Sequence, residues 1–146
     1  MKNINQMESV LSNILVSQWL AHDVHYTWQG HSFYGMHILA DKVGDMGSLA
    51  DEIKEAYYMG FRGENPPKDS VIAASAIEQY NKVISDNGEC CLKAIASQFS
   101  YLAASVEVAK REEGLAAGIH SILDAVSQKA LVGRALVSHS IEVEEA

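Results

Sequence analysis

The chain has 146 residues, the size of one ordinary domain spanning 1–146. Hydrophobic residues make up 48% and charged residues 21%, enough to bury a real core and too apolar for a disordered tail. Nineteen acidic residues against eleven basic ones give a net charge of -8, which argues against a surface devoted to nucleic acid or anionic lipid.

Helical periodicity runs through the whole chain. From Gln6 to about Thr27 the apolar positions are Met7, Val10, Leu11, Ile14, Leu15, Trp19 and Leu20, the spacing of an amphipathic helix. Gly30 and Ser32 mark a short break, with Ser32 as the expected N-cap. A second helix is expected from Phe33 to about Phe61, marked by Met36, Leu39, Val43, Met46, Ile53 and Tyr57. Gly63-Glu64-Asn65-Pro66-Pro67 is a strong breaker, after which Asp69 or Ser70 caps a short helix from Val71 to about Tyr80. Asp86-Asn87-Gly88 reads as a turn or cap. Two more long helices are expected at about 89–112 and 115–139, separated by Gly114. No stretch alternates as a strand does. The expected fold class is all-α: a four-helix bundle with a short extra helix in the connection between helices two and three.

No apolar run is long enough to span a bilayer, and Met1 to Glu8 lacks the apolar core of a secretory signal. Cys90 and Cys91 are neighbours that cannot bridge without strain. The expectation is a protein of the reducing cytoplasm with no membrane partner.

The first helical hairpin concentrates His22, His25, His37 and Asp41. In an antiparallel hairpin centred near His31, His25 faces His37, and His22 lies within reach of Asp41. Imidazole and carboxylate together suit a first-row transition metal such as iron, zinc or manganese. Asp51, Glu52 and Glu55 follow on the same helix, with Asp51 and Glu55 one turn apart. Fourteen residues of helix, about 21 Å, separate His37 from Asp51 within one chain. A two-fold copy removes that distance. If helix two pairs antiparallel with itself about Met46, His37 meets Glu55 and Asp41 meets Asp51, with Gly44 and Gly47 flanking the axis. The bland alternatives are histidines with ordinary hydrogen bonds and a solvated acidic stripe partnered by Lys54.

The run His25-Tyr26-Thr27-Trp28-Gln29-Gly30, then Phe33, His37 and Asp41, then Leu49-Ala50-Asp51-Glu52-Ile53-Lys54-Glu55, resembles the ferroxidase signature of Dps-type miniferritins. The resemblance implies a ferritin-like bundle, a hollow shell of twelve identical subunits, and iron(II) oxidation by hydrogen peroxide or dioxygen with storage of the ferric product. It also implies a di-iron or mono-iron site at the two-fold interface. His25, His37 and Asp41 match one half-site, and Asp51 and Glu55 match the other. The chain departs from the family in placing Asp51 ten residues after Asp41, where eleven are usual, and in having Ala56 where an Arg is usual. One missing residue turns a regular helix by about 100°. Either a local bulge or tightened turn near Gly44 and Gly47 restores the face, or Glu52 replaces Asp51 as ligand; His22 is a further candidate. A Dps-like protective shell with a degraded site is the alternative.

DNA compaction has little support. Only Lys2 precedes Glu8, and the C-terminal Glu142, Glu144 and Glu145 would repel phosphate. The aromatic residues Trp19, Trp28, Phe33, Tyr57, Tyr58, Phe99 and Tyr101 read as core or subunit interface. Trp28 sits near the expected metal, where the resemblance implies an aromatic that intercepts oxidising radicals. Glu112, Glu113 and Asp124 read as a solvated turn, in a region that lines a three-fold pore in ferritin-like shells.

Overall fold

The structure is a computed structural model and describes residues 5–27, 46–89 and 91–145. Every regular element among them is helical. Helix α1 spans Gln6–Thr27 and starts on Asn5, whose side-chain oxygen accepts the Met7 N–H at 2.9 Å. Helix α2 spans Met46–Ile53 and runs directly into a π-helical segment, Lys54–Phe61. Helices α3 (Asp69–Asn87), α4 (Leu92–Ala109) and α5 (Ala117–Glu145) follow. No helix among the described residues is long and apolar enough to cross a membrane.

The connecting helix α3 is longer than its apolar marks suggested, beginning two residues before Val71 and ending seven after Tyr80. Neither Asp69 nor Ser70 is its cap. Lys68 holds the extended N-cap position, and Asp69 lies inside the first turn, where its carboxylate accepts from Lys54 Nζ at 3.2 Å. Gly88 ends the helix with φ of 80°, the left-handed conformation that glycine adopts without a Cβ penalty.

Helix α1 packs against α2, α3 and α4. Helix α5 packs against α4, α2 and the π segment, while the backbones of α1 and α5 do not approach closely among the described residues. Contacts therefore pass from α2 to α1, α4, α5 and back to α2, with α3 added against α1 and α4. Helices α4 and α5 run antiparallel: Lys110 Nζ meets Asp124 Oδ1 at 2.7 Å near their turn, and Phe99 lies against Gly133 farther along.

The core follows the helical spacing. Met7, Val10, Leu11, Ile14 and Leu20 of α1 are buried, as are Met46 and Ile53 of α2 and Tyr57 of the π segment. Leu92, Ile95, Phe99, Leu102 and Val106 supply the face of α4, and Leu123, Val126, Ala130 and Val137 supply that of α5. Helix α1 is more enclosed than an amphipathic reading implies, because three helices surround it. Its polar residues Ser12, Asn13 and Ser17 are buried too. Each donates to the backbone carbonyl four residues back, at 3.0, 2.8 and 2.8 Å, so the enclosure leaves no donor stranded there.

Candidate functional site

His37 and Asp41 lie outside the described residues, as do Gly44, Trp28 and Phe33. His25 falls in the last turns of α1, and its side chain is outside the description as well. His22, on the same helix, is exposed and meets the Tyr26 ring edge-on at 6.4 Å between centroids.

The other proposed half-site is described. Asp51 and Glu52 stand at the end of α2, and Glu55 is the second residue of the π segment. All three side chains are exposed. None forms an ion pair with another described residue, whereas the neighbouring Lys54 is engaged by Asp69. The acids are presented by a rigid base, since Met46, Ile53, Tyr57 and Tyr58 on the same segment are essentially without solvent contact. Among the described residues, no three His, Cys, Asp or Glu side chains come together as a metal cluster.

The backbone changes pitch within this acidic run. Arg62 N–H bonds to the Tyr57 carbonyl at 2.9 Å, five residues back rather than four. A π turn holds one more residue than an α turn. Asp51 and Glu55 therefore straddle the change, and the four-residue spacing does not by itself set their relative direction. The widening falls after Asp51. At Gly47, the nearer of the two glycines expected to absorb the missing residue, the helix is regular. A Cβ there would stand 3.1 Å from Gln18 Nε2 of α1.

Asp51 also borders a half-open cleft of about 460 Å³ between α1, α2 and α3. Leu11, Ile14 and Ile72 contribute apolar walls, while Asp51, Lys54 and Asp69 contribute charge.

A second constellation escaped the sequence reading. Tyr57 Oη donates to Glu112 Oε1 at 2.5 Å, joining the π segment to the turn before α5. Arg62 Nη1 lies 3.5 Å from the same phenol and 3.8 Å from the same carboxylate, and its Nε pairs with Glu64 at 3.2 Å. The Tyr58 ring meets Tyr57 edge-on at 4.9 Å, and Phe61 stacks on Tyr57 at 6.0 Å. Burial, with Glu112 beside it, pushes the Tyr57 phenol up to about 12. Burial raises the Tyr58 phenol too, and its hydroxyl has no hydrogen-bond partner among the described residues. Fifty-five residues separate Tyr57 from Glu112, so no local motif announces the pair.

The remaining expectations divide. Tyr57, Tyr58 and Phe99 are core, while Trp19 and Tyr101 are half-buried against it. Glu112 and Asp124 hold Tyr57 and Lys110 respectively, and Glu113 is exposed. Cys91 is a free, half-buried thiol, and Cys90 lies outside the described residues.

No family model, curated protein or solved structure matches this chain.

Proposed function

We propose that the protein oxidises iron(II) and stores the ferric product in a homo-oligomeric, ferritin-like shell in the cytoplasm. Iron(II) is the substrate, held between two-fold-related copies by His25, His37 and Asp41 of one and by Asp51 and Glu55 of the other. The observation that carries this reading is the exposure of Asp51, Glu52 and Glu55 on one buried-footed segment, with no ion pair to described residues. Exposed carboxylates without a cationic partner among the described residues are open to a cation from outside the chain. Carboxylate oxygens with imidazole nitrogens form a donor set suited to iron. The order in which the helices touch also supports a ferritin-like bundle. In this scheme Asp51 and Glu55 bind and orient iron(II), and the histidines of the facing copy fix its remaining positions. The electron passes to peroxide or dioxygen.

The ten-residue interval from Asp41 to Asp51 favours a second reading, a protective shell whose site has lost its geometry. One experiment separates the two. Iron(II) oxidation by peroxide is followed by ferric absorbance in the native protein and in Asp51→Ala, Glu52→Ala and Glu55→Ala. The ferroxidase reading expects Asp51→Ala and Glu55→Ala each to slow oxidation at least about tenfold, with Glu52→Ala close to native, where the helix bulges near Gly44; with a regular helix the order of Asp51→Ala and Glu52→Ala reverses. Three silent substitutions would support the protective shell instead.

A further inference from the structure

Tyr57 and Glu112 form a phenol–carboxylate pair, its phenol ring buried and its carboxylate half-exposed, that the iron chemistry does not use. We propose that Tyr57 is a one-electron oxidation site, with Glu112 as the acceptor of its proton. The oxidant class is a diffusible one-electron oxidant such as hydroxyl radical. The oxidant takes one electron and becomes hydroxide. The Tyr57 O–H bond breaks, its proton forms a new O–H bond on Glu112 Oε1, and a neutral tyrosyl radical remains. Phenol, carboxylate and hydroxyl radical thus give phenoxyl, carboxylic acid and hydroxide, balanced in atoms and charge.

Four features of the site favour this step. The phenol already donates to the carboxylate, so the proton acceptor is in place before oxidation. Tyr57 is 1% exposed, which shields the radical from solvent and from other chains. Phe61 is 40% exposed and stacks on Tyr57 at 6.0 Å with 27° between planes, giving an oxidant at the surface a ring in contact with the buried one. Tyr58 is the built-in comparison: equally buried, its ring 4.9 Å away, but with no acceptor for its proton among the described residues. A second phenol–carboxylate pair, Tyr80 with Asp23 at 2.5 Å, lies in a more exposed setting, where a radical is quenched sooner.

The test is flash photo-oxidation of the full chain by tris(bipyridine)ruthenium(III), generated with persulfate, in a Tyr80→Phe background. Electron paramagnetic resonance follows the long-lived tyrosyl radical. The assignment expects that signal in the background protein and in Tyr58→Phe, and its loss in Tyr57→Phe. Glu112→Gln keeps a side-chain oxygen for the phenol but takes up no proton. It should slow radical formation about 100-fold, the lower end of what a positioned proton acceptor contributes. Its rate should also rise with pH, as solvent bases take the proton instead. A long-lived radical that survives Tyr57→Phe, or an unchanged rate in Glu112→Gln, would show the bond to be structural only. If Tyr57→Phe loses its far-ultraviolet circular dichroism, the rate and pH profile of Glu112→Gln decide the matter.

Discussion

Tyr57 carries both a packing role and a polar one. Its ring fills the core beneath the π segment, and its hydroxyl reaches out to Glu112 across 55 positions of sequence. The fold raises its pKa from 10.0 to about 12, so the unfolded chain releases this proton at lower pH than the native one. Below pH 10 both states keep the proton and the effect is absent. Between pH 10 and 12 only the unfolded state ionises, and stability falls as pH rises. Urea denaturation across that range should show a decline that is shallower in Tyr57→Phe. Near neutral pH the same variant should lose only about 1 kcal/mol, since half-exposed Glu112 regains water. An alkaline decline of equal steepness in both proteins would assign it to other groups.

At the scale of elements, the close approach of α4 and α5 depends on Gly133. A Cβ there would stand 2.7 Å from Phe99 Cε2 and 2.9 Å from Cζ, and Phe99 is fully enclosed. Alanine is the better helix former by up to about 1 kcal/mol. Overpacking of this kind costs about 1–3 kcal/mol and outweighs that gain. Gly133→Ala should therefore lower the melting temperature. Gly118→Ala, on the same helix with nothing within 4 Å, should raise it. Calorimetry of the two variants checks the pair, and a stabilised Gly133→Ala would contradict the packing.

The apolar periodicity of α1, α4 and α5 was legible because a helical stripe needs only a 3.6-residue repeat. The extent of α3 was less so. Its exposed Ile77 and Val71 blur the stripe, and Pro67 pushed the expected cap onto Asp69, which pairs with Lys54 instead. The π segment left no sequence mark, because widening a turn changes which residues share a face without changing their types. Of the candidate site, the exposure of Asp51, Glu52 and Glu55 was readable from their charge. The Tyr57–Glu112 pair was not, because only tertiary packing joins it. The expected ligands His37 and Asp41 lie outside the described residues.

For the whole molecule, completion of the site by a second copy makes assembly a requirement of the proposed function. Helix α5 carries Leu131, Val132 and Leu136 exposed, apolar area that closure of a shell would cover. Light scattering should report a particle near twelve times 15.9 kDa, and a monomer at micromolar concentration would contradict it. The charge of -8 sets a second expectation: binding to duplex DNA without divalent cations should vanish near physiological salt, as gel shift would read. Sub-micromolar binding under those conditions would reveal a basic patch that the composition hides.

The central claim, a site shared between two copies, is tested most directly by complementation. His37 and Glu55 lie 18 positions apart in sequence, a separation of about 27 Å if spanned by helix, yet the proposal has them hold one iron from different chains. His37→Ala and Glu55→Ala shells are each assayed for iron(II) oxidation, then dissociated, mixed and reassembled. The account predicts two inactive parents and a mixed shell with partial activity, because some interfaces then pair a native half-site with a native half-site. A mixture as inactive as its parents, from reassembled shells of native size, would contradict it.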